Sequence, residues 1–220
     1  MATNRIGSSD IMKKTMILFL LLVSVSFAQQ TGPFGLSRGM SKEAVVAAVG
    51  AKNVIKNEGR QVSTVPKPHL MFESYSLLFS PTVGLVKILA LSVIIDTDDF
   101  GDQIRSAYDD ISTALQQAYG QPNYSFDFLQ SGSIWHERNE FMWGLYKKER
   151  TLATAWDNTS ETNGTAPIVR HALPNQIANI SLQAVALDVD PNKADLILAY
   201  EFNGFNQYAD EVAKKKASVF

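Results

Sequence analysis

The loop and helix that decide the fold read Phe34-Gly35-Leu36-Ser37-Arg38-Gly39-Met40-Ser41-Lys42-Glu43-Ala44-Val45-Val46-Ala47-Ala48-Val49-Gly50. Gly39 permits a sharp turn at little steric cost, and Ser41 is a good N-cap because its hydroxyl can accept a backbone N–H of the first helical turn. Val45 and Val49 lie one turn apart and predict a buried stripe. Gly50 is typical of the position at which a helix ends. The pattern predicts a short capped helix.

The opening Gly39-Met40-Ser41-Lys42-Glu43-Ala44-Val45 resembles the Gly-Met-Thr/Ser-x-x-x-Val start of small bacterial envelope modules. These modules include the outer-membrane-assembly lipoproteins and the tandem-repeat fold of the β-lactamase inhibitor protein. The resemblance covers this opening directly. It implies a helical segment packed on an antiparallel sheet, and a protein that works by binding other proteins.

The N-terminus has the order of basic, apolar and small residues that is typical of an export signal. Two lysines precede an apolar run that ends in Ser26-Phe27-Ala28. Small residues occupy the two positions that a signal peptidase recognises, so we expect residues 1–28 to be removed before Gln29. The run is shorter than the ~20 apolar residues of a comfortable membrane span, although an uncleaved anchor is the alternative. We interpret residues 1–11 as an artefact of the gene start, because Met12 begins a more natural signal.

The composition excludes several kinds of chemistry. The chain has no cysteine, which excludes disulfides, thiolate catalysis, cysteine metal ligands and the lipid anchor of a bacterial lipoprotein. Removal of residues 1–28 takes three of 20 basic and one of 22 acidic residues, leaving 17 and 21 and a net charge of −4. That balance argues against nucleic acid as a partner, which would require a basic patch. The remaining 192 of 220 residues suit one domain or two small repeats.

The middle of the chain predicts a hairpin followed by a long helix. His69–Phe79 and Leu85–Ile95 are β-like runs separated by turn residues. Residues 102–119 then carry apolar side chains at spacings of three and four, which is the period of an amphipathic helix. The members of this stripe are Ile104, Ala107, Tyr108, Ile111, Leu115, Ala118 and Tyr119. Asp109 and Asp110 lie on the opposite, solvated face.

The second half predicts more strands, one short helix and a closing helix. In order, we expect a strand at Phe126–Trp135, a helix at Asn139–Glu149, strands at Thr151–Trp156 and Ile177–Leu187, a turn at Asp190–Lys193, a strand at Ala194–Phe202 and a helix around Phe205, Tyr208 and Val212. A long polar loop, Asp157–Gln176, interrupts the strands. The predicted fold class is α+β, with helices packed on an antiparallel sheet.

An internal duplication is the further expectation. The long helix ends in Tyr119-Gly120 much as the first ends in Val49-Gly50, and β-like runs follow each helix. We therefore predict one exported domain, residues 29–220, built from two tandem helix–strand–strand repeats at 34–96 and 100–220.

No catalytic, cofactor-binding or metal-binding residue is predicted. His69, His136 and His171 are far apart in sequence and form no recognised metal pattern. The acidic segment Asp96–Asp102 lacks the ligand positions of a helix–loop–helix calcium site, so its acids are expected to cap the following helix. A nucleophile elbow and a glycine-rich phosphate loop are also absent from the sequence.

The aromatic residues Trp135, Trp143, Tyr146 and Trp156 crowd one short region. Such side chains form either the core or the anchors of a binding surface, and the sequence leaves both open. We predict a non-catalytic protein-binding module of the periplasm or the cell exterior, without a cofactor and without stable membrane insertion after cleavage. The alternatives are a hydrolase, or a carrier of a small apolar ligand, whose site is assembled from distant residues.

The export signal generates the first testable prediction. Because the grading from basic to apolar to small residues ends at Ala28, protein purified from its native host should begin at or near Gln29. Mass spectrometry of the intact protein measures this directly. A native N-terminus at Met1 or Met12 would contradict cleavage.

Overall fold

The computed structural model describes residues 32–56, 60–158 and 172–217. The expected signal at residues 1–28, the gene-start residues 1–11 and His171 lie outside these ranges. The helices are α1 (Lys42–Val49), α2 (Asp102–Tyr119), α3 (Phe141–Tyr146) and α4 (Phe205–Ala217), with 3-10 turns at Pro33–Gly35, Ala51–Asn53 and Arg138–Glu140. The strands are β1 (Val54–Lys56), β2 (Gln61–Val62), β3 (Phe72–Ser80), β4 (Gly84–Ser92), β5 (Ile95–Asp96), β6 (Tyr124–Leu129), β7 (Arg150–Asp157), β8 (Ile177–Leu187) and β9 (Asp190–Phe202).

The strands form one antiparallel sheet, which confirms the α+β fold class. Their order across the sheet is β1-β2-β3-β4-β9-β8-β7-β6, and the short β5 pairs with the start of β9. β4 and β9 therefore lie in the middle, with the strands of the first half on one side and those of the second half on the other. The described helices include none that is both long enough and apolar enough to cross a membrane.

The core lies between α2 and α3 and one face of the sheet. Ile104, Tyr108, Ile111 and Leu115 of α2 are buried, as the helical spacing predicts. Alternating residues of the central strands meet them, among them Ile88, Leu182, Leu196 and Trp156. Ala118 was expected in the same stripe but is exposed, whereas Tyr119 beside it packs against the core; Asp109 and Asp110 are exposed as predicted.

The first helix has the predicted caps. The Ser41 hydroxyl accepts a hydrogen bond from the Ala44 backbone N–H at 3.2 Å, and Val45 and Val49 are buried. Gly50 ends the helix with a φ of 84°. The pKa of Glu43 is lowered by its own backbone N–H and by the Ser41 hydroxyl, as suits a carboxylate in the first turn.

The start of α2 depends on an acidic side chain and on a glycine. Asp98 accepts a hydrogen bond from the Asp102 backbone N–H at 3.0 Å, so this acidic segment does cap the helix. Gly101 has a φ of 71°, and a Cβ there would lie 2.3 Å from the Phe141 ring. Only glycine allows α3 to pack this closely against the start of α2.

Several predicted boundaries were wrong in the second half. The turn between the last two strands lies at Asp188-Val189, so residues 190–193 belong to β9. The strand predicted at Phe126–Trp135 begins at Tyr124 and ends at Leu129, because the following residues form a loop over the end of the sheet. The short helix ends at Tyr146, three residues early. Turn residues such as Pro191 are tolerated near the start of a strand, so the first residues of β9 were predicted as a turn.

The buried stripe of α2 generates the second testable prediction. Ile111 is 6% exposed, so Ile111→Asp places an unpaired charge in the core, and we expect it to lower the free energy of unfolding by roughly 3 kcal/mol or more. Asp110→Asn, on the exposed face of the same turn, is the matched control and should stay close to the parent. Thermal melts measure both; an Ile111→Asp melt within a degree or two of the parent would contradict the helix placement.

Candidate protein interface

Three partly exposed aromatic rings lie together beside the end of the sheet where β8 turns into β9. Trp135 stacks on Trp143 with 5.6 Å between ring centroids and 18° between ring planes. The Tyr146 ring meets Trp143 edge-on at 5.7 Å, and its hydroxyl donates to the Asp188 backbone oxygen at 3.3 Å. We call these residues, with the neighbouring Ile134 and Val189, the tryptophan patch.

The sequence of α3 explains why these rings face solvent. Phe141, Met142 and Leu145 are buried against the sheet, which turns Trp143 and Tyr146, three residues apart, to the opposite side of the helix. Met142 therefore lies in the core, whereas Tyr146, one turn later, lies at the surface.

The patch is held rigidly at its base. A capping box precedes α3, in which the Glu140 carboxylate accepts from the Glu137 backbone N–H at 2.9 Å. Gly144 lets the helix approach β7, since a Cβ there would lie 3.1 Å from the Arg150 Cβ. These contacts hold α3, which carries Trp143 and Tyr146, against the sheet.

Exposed apolar side chains and cations extend the patch. Ile134 is 72% exposed and Val189 is 85% exposed. The Lys147 ammonium lies 5.1 Å from the Tyr146 ring centroid, and the Arg138 guanidinium lies 5.7 Å from that of Phe100. The result is an apolar surface with Lys147 and the ion pair of Lys148 with Asp188 beside it.

The fourth aromatic residue of the sequence cluster lies elsewhere. Trp156 is 1% exposed, and its indole N–H donates to the Gly120 backbone oxygen at 2.8 Å, below α2. Both sequence interpretations thus apply, to different members of the cluster: Trp156 belongs to the core, and the other three form the surface patch.

A second aromatic group, which sequence reasoning missed, lies on the opposite face of the sheet from α2. We call this face the outer face, and its β6 members Tyr124, Phe126 and Phe128 the aromatic row. Ring centroids are 6.2 Å apart between Tyr124 and Phe126, and again between Phe126 and Phe128. The alternation Tyr-Ser-Phe-Asp-Phe-Leu was the available signal, but the strand was predicted without a face.

Small and apolar side chains continue the outer face from the aromatic row. Across the paired strands, the residues level with Tyr124 are Ala155, Ser181, Ala199, Leu89 and Ser76. The residues level with Phe126 are Ala153, Gln183, Ile197, Leu91 and Ser74. The α4 helix begins beside this face, where the Lys87 ammonium lies 4.8 Å from the Phe205 ring centroid.

The described histidines and carboxylates are not gathered into one cluster. His69 and His136 are exposed, and the His69 ring accepts a hydrogen bond from the Met71 backbone N–H at 3.2 Å. Within residues 32–56, 60–158 and 172–217, no three His, Asp or Glu side chains are close enough to hold a metal ion. A surface depression of about 520 Å³ lies between α1 and the β3–β4 turn, lined by residues such as Arg60, Lys42 and Glu43.

The tyrosines with raised pKa values are core residues. Burial raises the pKa of Tyr108, whose hydroxyl hydrogen-bonds the Thr154 hydroxyl between α2 and β7. Burial also raises the pKa of Tyr200 and of its neighbour Tyr119. These hydroxyls lie between helix and sheet, so they contribute to packing.

No protein-family model, curated protein or solved structure matches this chain.

Asp195 is a buried carboxylate on the outer face. Its side chain is 8% exposed, and its Oδ1 atom accepts no hydrogen bond within the described residues. Burial raises the pKa of Asp195, and the negative charge of Glu73 raises it further. The charged form is therefore less favourable in the folded protein than in the unfolded chain.

This carboxylate generates the third testable prediction. Because the pKa of Asp195 is raised in the folded protein, the contribution of its carboxyl to stability is complete below the pKa that it has in the unfolded chain. That contribution is lost as pH rises through the pKa of the folded state. We therefore expect Asp195→Asn to raise Tm at pH 7 by about 2–4 °C, the effect of roughly 1 kcal/mol in a chain of this size. The gain should vanish near pH 3, where the parent is protonated too. Asp110→Asn, at an exposed carboxylate, is the control, and a lower Tm for Asp195→Asn at pH 7 would contradict the assignment.

Proposed function

We propose that this protein is a non-catalytic binding module that captures another protein through the tryptophan patch. The observation that carries the proposal is the stacked, partly exposed pair of Trp135, in the loop before α3, and Trp143, on α3. Tryptophan and tyrosine dominate the energetics of protein interfaces, because they bury much area with few rotatable bonds. The surrounding exposed Ile134 and Val189 supply further apolar contact.

The charge beside the rings indicates the chemistry of the partner. Lys147 lies against the Tyr146 and Trp143 rings, and Lys148 is paired with Asp188 at 3.7 Å at the turn below them. A partner with an apolar centre and an acidic group that meets Lys147 would match this pattern. With the export signal expected at residues 1–28, the partner would be a protein of the bacterial envelope or of the cell exterior.

The proposal includes the two-repeat arrangement. The helix α1 precedes the strands β1 to β4, and α2 precedes β6 to β9. The last strand of each group, β4 or β9, pairs with the other in the middle of the sheet. This order supports a duplication of one helix-and-meander unit, and it supports the resemblance to the tandem envelope modules that bind other proteins.

A capture experiment with matched variants tests the function and is the fourth testable prediction. The purified protein, immobilised, should retain a specific protein from envelope extract or culture fluid. Trp143→Ala should weaken that binding about tenfold or more, because loss of an anchor at an interface typically removes ~1.4 kcal/mol or more. Leu70→Ala, at a fully exposed side chain that belongs neither to the patch nor to β6, is the control and should bind the partner like the parent.

Two outcomes would contradict the proposal. Equal capture by the Trp143→Ala variant, with an unchanged thermal melt, would show that the patch is not the binding site. Capture of no protein, together with turnover of a substrate or retention of an apolar small molecule, would favour the hydrolase or the carrier instead.

A further inference from the structure

The β6 strand has an unpaired edge. It bonds β7 on one side through six consecutive residue pairs without a register shift, and no described strand lies on its other side. The Gln130 backbone N–H donates to the Glu149 oxygen at 2.7 Å, which fixes the alternation of the ladder. It follows that the backbone groups of Ser125, Asp127 and Leu129 point away from β7, toward the edge.

This edge has few of the devices that normally prevent strand pairing. The opposite edge of the sheet, β1, has three residues and an irregular register with β2, both of which discourage pairing. By contrast, β6 is regular, and four of its residues, Ser125 to Phe128, are exposed. Its one charged side chain, Asp127, is bound to Arg150 at 2.8 Å. Proline is absent from this strand.

We propose that two copies of this chain pair antiparallel through their β6 edges, joining their sheets into one. The argument is the symmetry of the aromatic row, in which Tyr124 and Phe128 flank Phe126 at equal spacing. A two-fold axis perpendicular to the sheet, passing between the two Phe126 residues, places Phe126 opposite Phe126 and Tyr124 opposite Phe128. Every aromatic ring of one row then faces an aromatic ring of the other.

The same register pairs the outward backbone groups of the two strands and keeps their like charges apart. With Phe126 opposite its copy, Ser125 faces Asp127 of the second chain, and their outward N–H and C=O groups form the hydrogen-bonded pairs. The aromatic residues occupy the non-hydrogen-bonded pairs, in which side chains come closest, with Cα atoms about 4.5 Å apart. The two Asp127 side chains avoid each other, and each retains its own Arg150.

The joined sheets extend the outer face across both copies. The two rows would form one band of six aromatic rings, bordered on each side by the small residues Ala153 and Ala155. About six residues from each chain meet, which is at the low end of specific interfaces, so we expect dissociation constants in the micromolar range, on the order of 1–100 µM.

The experiment compares the mass in solution of the parent with that of two variants at Ser125. Ser125→Pro removes one outward N–H and leaves the bonds to β7 intact, because proline is tolerated on the open side of an edge strand. Ser125→Ala keeps the N–H and is the matched control. Sedimentation or light scattering across a concentration series should give a dimer for the parent and for Ser125→Ala, and a dissociation constant at least about tenfold higher for Ser125→Pro.

Two further measurements keep the test decisive if Ser125→Pro alters the fold. Phe126→Lys leaves every backbone bond in place but sets two like charges opposite each other at the axis, so it should also give a monomer. Hydrogen exchange should show the Ser125 and Asp127 amides protected in the concentrated parent and unprotected in Phe126→Lys. A parent that stays monomeric at about 100 µM, or a Phe126→Lys variant that stays dimeric, would overturn the proposal.

The dimer is distinct from the proposed binding function, because the β6 edge and the tryptophan patch are different surfaces. A monomeric parent that still shows Trp143-dependent capture would contradict the dimer and support the binding function. A dimer without such capture would support the dimer and contradict the binding function.

Discussion

The pairing of β4 with β9 is the constraint on which the rest of the structure depends. Residues 87–91 lie opposite residues 197–201, and the ion pair of Lys87 with Glu201, at 2.8 Å, joins residues 114 positions apart. Both charged side chains keep part of their exposure to solvent, so the pair itself adds little stability. The stability comes from the core side of the same strands, where Ile88 and Tyr200 are buried. Because loop closure precedes such long-range contacts, we expect folding to be slow relative to helical proteins of this size.

The local part of this fold could be predicted from the sequence, whereas its long-range part could not. The α2 stripe, the Ser41 cap and the hairpin of β3 and β4 depend on neighbours in sequence, and each left a periodic or turn signal. The meeting of β4 and β9 left none, because either strand is an apolar run that would suit any central position. The turn at Asp188-Val189 was missed because Pro191 and Asn192 resemble turn residues more strongly.

For the candidate site, the sequence predicted only the local enrichment in aromatic residues. Tryptophan and tyrosine crowd residues 135–156, but their fate depends on which side of a six-residue helix each occupies, and so short a helix gives little periodicity. Trp156 went to the core because β7 alternates and its neighbours Leu152 and Thr154 share the buried face. The aromatic row of β6 had a clear alternation, yet its exposure follows from β6 lying at the edge, a property of the whole sheet.

Arg150 physically connects the two candidate surfaces. Its guanidinium bonds Asp127 on β6 at 2.8 Å and lies 4.8 Å from the ring centroid of Phe141, at the base of the helix that carries Trp143. Its Nε atom is buried without a partner among the described residues, so the side chain is held mainly by these two contacts. Coupling between distant sites requires an element with two arrangements that each site biases differently. The tryptophan patch lies on the side of the sheet that packs against α3, and the aromatic row lies on the opposite face. Binding at the tryptophan patch and pairing at β6 should therefore contribute additively to the free energy of an assembly.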